Sequence, residues 1–169
     1  MKSLVEITNK VYFDLIYSSN IDDISIDLLQ RLLIGRHGIM LFLISHNGDI
    51  FGSYNSEQIS RKKDEPDFYT IENDDNACVF KVNKTTQKLD TYRLKDKSDP
   101  SLYFINNAEK ARNGVIGVQN AFNIKLNCSV SESKDFSRLY NVPEGRSILM
   151  NIQSQTQVPI ETFLILEWK

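Results

Sequence analysis

Near the start of the chain, apolar residues recur at helical spacing. Leu4, Ile7, Val11 and Leu15 fall on one face, which predicts a helix over 4–17. Ser3 and Glu6 form an S-x-x-E box, in which each side chain serves the other's free backbone amide. Ser18, Ser19 and Asn20 stop that helix. A second helix is predicted after Ser25, with Leu28, Leu29, Leu32 and Leu33 on one face. Gly35 suits the left-handed position beyond its last turn. The period then changes. Residues 39–45, IMLFLIS, are almost wholly apolar and read as a strand buried on both faces. Asn47 and Gly48 tolerate positive φ, as a type I′ turn requires, so residues 50–54 return as the partner strand of a tight hairpin. Gly52 inside that partner points to a bulge or a close backbone approach.

Residues 56–76 are polar and mixed in sign, and read as a long connection. ACVFKVN at 77–83 and LDTYRLK at 89–95 are predicted strands joined by the polar turn 84–88. Asp99 and Pro100 precede a short strand at 102–105. ARNGVIGVQN at 111–120 carries Gly114 and Gly117, which are expected to hug a neighbouring backbone. AFNIKLNC at 121–128 alternates, with Phe122, Ile124, Leu126 and Cys128 on one face. Residues 129–145, ending in Pro143 and Gly145, read as loop, SILMNI at 147–152 as a strand, and 162–168 as a final, mostly buried strand. Two helices followed by about eight strands, without βαβ alternation, exclude a parallel sheet. The expected fold class is α+β, mostly β: an antiparallel two-sheet β-sandwich with flanking N-terminal helices. It is expected to be a single domain over 1–169, helical over 1–35 with its β-sandwich core over 36–169.

Composition narrows the function. A chain of 169 residues buries roughly two-thirds of its unfolded surface, so its core needs no staples. A net charge of −2 gives no general attraction to nucleic acid or membranes. Cys78 and Cys128 are the only cysteines and read as reduced core residues, not a disulfide framework. The start, MKSLVEITNK, is too polar for a secretory signal, and no apolar run is long enough for a membrane helix. A cytoplasmic or nuclear location is expected.

Candidate chemistry is sparse. His46 beside Asp49 supplies two parts of a hydrolytic triad, but no nucleophile sits on an elbow, so both read as turn residues, as does His37. Glu72, Asp74 and Asp75 lack the organised spacing of calcium ligands, and no metal site is expected. Redox-sensing thiols must be exposed with a lowered pKa, whereas Cys78 and Cys128 lie on predicted inward faces. Glu167 in an apolar strand needs a partner such as an arginine, or else faces a polar site. The 81–97 hairpin sets Lys81, Lys84, Lys88, Arg93, Lys95 and Lys97 against Asp90 and Asp96, with Tyr92 among them. Alternation is expected to turn Arg93 and Lys95, with Lys81 nearby, toward one side. Such a patch suits a phosphate backbone with a base stacked on Tyr92, or an acidic protein surface. Lysines on an edge hairpin also guard against aggregation. No catalytic residues and no cofactor are expected.

Five features in order make a wider pattern: FDLIYSS before a leucine-rich helix; LFLISHNGDIFGSYNSE; ACVFKVN followed by the strand of Tyr92; Gly114 and Gly117 before AFNIKLN; and FLILEWK at the end. Together they resemble the TLDc domain family from about Phe13 to Trp168. On that match Gly48, Phe51, Gly52 and Tyr54 occupy the signature hairpin, Phe80 the following strand, Gly114 and Gly117 the glycine turn, and Glu167 and Trp168 the closing motif. The turn is less glycine-dense than the family's, the closing motif is one residue short, and 56–76 has no counterpart. The resemblance implies a β-sandwich without established catalytic residues, associated with protection against oxidative damage. Several members bind the vacuolar proton-pumping ATPase. The expected function is therefore a non-catalytic interaction module in oxidative-stress protection that binds this ATPase. The alternative is a nucleic-acid-binding regulator of a stress response that uses Lys81, Lys84, Lys88, Tyr92, Arg93 and Lys95.

Overall fold

The computed structural model describes residues 4–111, 114–133, 135–142 and 157–169. Ser3 of the expected cap, Pro143 and Gly145, and the strand expected over 147–152 lie outside these residues.

The first helix is shorter than its periodicity predicts. α1 spans Leu4–Thr8. Asn9 ends it in the left-handed region, at φ 54°, a conformation that asparagine tolerates better than most residues. The apolar positions beyond it belong to a strand, β1 (Phe13–Ser18). β1 pairs antiparallel with the end of the last strand, β12 (Val158–Trp168), from Phe13↔Trp168 to Ser18↔Leu164. The N-terminal 1–35 is thus not purely helical: it gives one strand to the sheet. The second helix follows its sequence signals. α2 spans Ile26–Leu33, and Ser25 Oγ accepts the Leu28 N–H at 3.2 Å. Leu29 and Leu33 are fully buried, and Gly35 has φ 80°.

One antiparallel sheet runs β1-β12-β2-β3-β6-β7, where β2 is Ile39–Ser45, β3 Ile50–Asn55, β6 Cys78–Val82 and β7 Leu89–Arg93. The other runs β4-β5-β8-β9-β10-β11, built from Ser60–Arg61, Phe68–Ile71, Leu102–Ile105, Ile116–Val118, Phe122–Ile124 and Ser129–Glu132. β12 joins them. Its first residues pair with β11 through Val130↔Val158, and the rest pairs with β2 from Ile160↔Ser45 to Glu167↔Ile39. The described residues alone hold twelve strands, against the expected eight or so. β4 and β5 lie in the supposed connection 56–76, and β11 with the short helix α3 (Phe136–Leu139) in the supposed loop 129–145. The alternating strand at 121–128 stops at Ile124; Leu126 is exposed and Cys128 sits in a turn at φ 51°.

The sheets bury their facing sides against each other, the arrangement expected of a β-sandwich. Phe51 of β3 meets Phe122 of β10 edge to face at 5.4 Å, and both are fully buried. A second cluster lies on the other face of the first sheet, where Ile7 of α1 packs with Met40, Tyr54, Cys78, Phe80, Leu166 and Trp168. Each such side chain removed from water contributes about 1.5–3 kcal/mol, so both faces of this sheet hold the fold together.

Candidate functional site

The signature hairpin is built for packing. The Gly48 N–H donates to the Ser45 carbonyl at 2.7 Å, and the Ser45 N–H to the Asp49 carbonyl at 2.9 Å. Gly48 has φ 72°, while Asn47 is not among the positive-φ residues. The turn is therefore not type I′; a single left-handed glycine closes it in the longer, bulged form. Gly52 makes the expected close approach: a Cβ there would lie 1.9 Å from the Leu41 carbonyl oxygen. Phe51 and Tyr54 are core residues, and Phe80 packs beside Phe42 at 6.1 Å between ring centres. Burial, then Asp74 and Cys78, push the Tyr54 hydroxyl up to about 12. Gly117 lies beneath the ring of Tyr103, and Gly114 backs onto Asn123 and Ile124. In β12, Glu167 accepts a hydrogen bond from Arg36 Nη1 at 2.6 Å, the arginine pair its apolar strand calls for. Trp168 is buried, packed against Phe13 at 5.1 Å.

The cations of the 81–97 hairpin do not gather on one side. Register sets Cys78 opposite Arg93, Val79 opposite Tyr92 and Lys81 opposite Asp90. Cys78 belongs to the outer cluster and Val79 to the core between the sheets, so Arg93 and Lys81 take opposite faces. The Tyr92 ring packs edge-on against Phe136 at 5.6 Å and is half-buried. Lys84 Nζ lies 3.0 Å from Asp49 Oδ1 and donates to the Asn47 carbonyl at 2.8 Å. Arg93 donates to the Asp75 carbonyl at 3.1 Å, and Lys95 to that of Ser137 at 2.8 Å. Lys97 pairs with the Asp75 carboxylate at 2.6 Å. Lys88 is exposed on the turn.

The remaining candidates also separate. His37 and His46 are exposed, and the Asp49 carboxylate beside His46 is buried against Lys84. Asp74 is a structural clamp. Its carboxylate accepts the Ser56 N–H and Ser56 Oγ at 2.6 Å each and the Asn76 N–H at 3.0 Å. Glu72 accepts from Thr70 Oγ1 at 3.3 Å. Among the described residues, no group of three or more His, Cys, Asp or Glu could hold a metal ion. Cys78 is buried as expected; Cys128 is a partly exposed turn residue, not an inward strand position. Burial, with Asp23 adding, raises the Cys128 thiol pKa, the opposite of what a sensor thiol needs.

Sequence reading gave no role to Asp22, Asp23 and Glu161, which line one open groove. They are too far apart in the chain to form a spacing motif, and only the pairing of β1 with β12 brings them together. No described helix is long and apolar enough to cross a membrane.

A search of curated proteins found no match. A family model does match: the TLDc domain, over residues 2–162. That span takes in both helices of the N-terminal part, the hairpin of Gly48 and Gly52 and the start of the strand that joins the two sheets, and on it the chain belongs to the TLDc domain family.

Proposed function

We propose that this chain is a non-catalytic interaction module acting in oxidative-stress protection, and that its partner is the vacuolar proton-pumping ATPase. The observation that carries the reading is membership of the TLDc family over residues 2–162. By resemblance, that family is associated with oxidative-stress protection and has members that bind this ATPase. The site geometry supports a binding role over chemistry. Asp49 is taken up by Lys84, and the partly exposed thiol has a raised pKa, which lowers its reactive thiolate fraction. The proposal sets its work in the cytoplasm or nucleus.

Nucleic-acid binding through the hairpin has less support, because its cations divide between two faces and its aromatic ring packs on Phe136. A pull-down from oxidatively stressed cell lysate, with and without nuclease, separates the two. The parent protein is compared with a Lys88→Ala, Arg93→Ala, Lys95→Ala variant, which leaves the Lys84–Asp49 pair in place. Nuclease-insensitive recovery of ATPase subunits by both proteins is the expected result. Recovery of nucleic acid by the parent alone would overturn it in favour of the regulator.

A further inference from the structure

Two surface openings, of about 360 and 380 Å³, share Ile24 and Leu126 and so make one groove. Asp22 and Asp23, from the segment after β1, wall one end together with Glu161 of β12. Asp27, in the first turn of α2, lines the other. The two residues common to both openings are apolar: Ile24 is buried, and Leu126, in the turn after β10, is 43% exposed.

Among the described residues, the charge here is unanswered: none of their lysines, arginines or histidines lines either opening. None of the four carboxylates takes part in the ion pairs among the described residues. Lys125 adjoins Leu126 in the chain but lines neither opening. A metal ion is the wrong filler, since no described cluster of acidic side chains is tight enough to hold one. Carboxylates spread along a groove instead match cations spread along a chain, and charges at a binding rim act mainly by selecting the partner and speeding its arrival. The exposed leucine adds what charge alone does not, because covering it releases ordered water.

We propose that this groove docks a basic segment of a partner protein, with lysine or arginine side chains against Asp22, Asp23, Asp27 and Glu161 and an apolar side chain against Ile24 and Leu126. The proposal rests on the interaction-module reading and states the chemistry of the partner that the module takes.

Fluorescence anisotropy with the labelled peptide KRKLLKRK tests it. Saturable binding to the parent protein is expected. An Asp22→Asn, Asp23→Asn, Glu161→Gln variant should bind about tenfold more weakly, as should Leu126→Ser, while Lys88→Ala, Arg93→Ala should bind like the parent. The peptide KRKSSKRK, equal in charge but without the apolar pair, should also bind about tenfold more weakly. Thermal melts alongside show that each variant is folded; its substituted side chains are exposed. No binding to the parent, equal binding to the triple variant, or equal binding of the two peptides would overturn the proposal. Purified ATPase keeps the two readings apart. If it binds the triple variant as it binds the parent, the interaction module stands and the groove assignment falls. If the peptide binds as described and the ATPase does not, the groove stands and the identity of the partner falls.

Discussion

A methyl group on Gly52 would sit 1.9 Å from the Leu41 carbonyl oxygen and 2.7 Å from Phe80 Cζ. Gly52→Ala must therefore push β2 and β3 apart, and is expected to cost about 3 kcal/mol. Gly48 differs: nothing lies closer than Lys84 Nζ at 4.0 Å, and only its φ of 72° resists a side chain. Gly48→Val is expected to cost about 1–2 kcal/mol. Urea denaturation of both variants checks the order; a larger loss at Gly48 would contradict it. Tyr54 gives a pH test. Its folded pKa is raised from 10.0 to about 12, so its stabilising effect is complete below the unfolded value. The effect fades as pH rises from 10.0 through about 12. Urea midpoints for the parent should fall across that window, and Tyr54→Phe should flatten part of the fall. Burial raises Tyr17, Tyr92, Tyr103 and Tyr140 as well, so part of the slope remains in the variant. At this scale the sequence was legible where a residue type has one strong reason to be present. The positive φ of Gly48, the close approach at Gly52 and the Glu167 partner were readable; the type of the Gly48 turn was not, and neither was Asp74, because nothing in a polar run marks which carboxylate will be buried as a clamp.

The β2–β3 and β6–β7 hairpins are joined by the pairing of β3 with β6 and by a side-chain link between their turns. Lys84, in the turn between β6 and β7, reaches Asp49 at the base of the β2–β3 turn, whose carboxylate is almost wholly buried. Removing the lysine leaves a buried charge without its partner. Lys84→Ala is expected to cost about 1–2 kcal/mol, a range lowered because Lys84 itself is half-exposed. Lys88→Ala should stay within about 0.5 kcal/mol of the parent, as a surface change. Equal values for the two would contradict the structural role of Lys84. The strands read correctly were the apolar ones. β2 matched its seven apolar-rich residues end to end, whereas β4 and β11 carry too few apolar side chains to stand out from loop. β1 shows the competing case. Its apolar residues fit the 3.6-residue period begun by α1, and the free edge of β12 took them as a strand. Pairing available only in the folded chain overrode the local period.

At the scale of the molecule, the two-sheet core, its antiparallel order and the family were legible, because hairpin spacing and motif order survive errors in single strands. The working surface was less so. The basic hairpin stood out in sequence since its charges are close in the chain, yet pairing divides them between faces. The acidic groove was hidden because its walls come from residues 22–27, 126 and 161, joined only by the fold. If the chain is a binding module, its activity should survive loss of both thiols. A Cys78→Ser, Cys128→Ser variant is expected to protect stressed cells as the parent does, and loss of protection at unchanged stability would show thiol chemistry instead. The most direct measurement is a titration of purified proton-pumping ATPase with purified parent protein, at low and physiological salt, in the presence of nuclease. Saturable binding that weakens only modestly as salt rises is the predicted result. An absence of binding at both salt concentrations would contradict the assignment of this chain as an ATPase-directed interaction module.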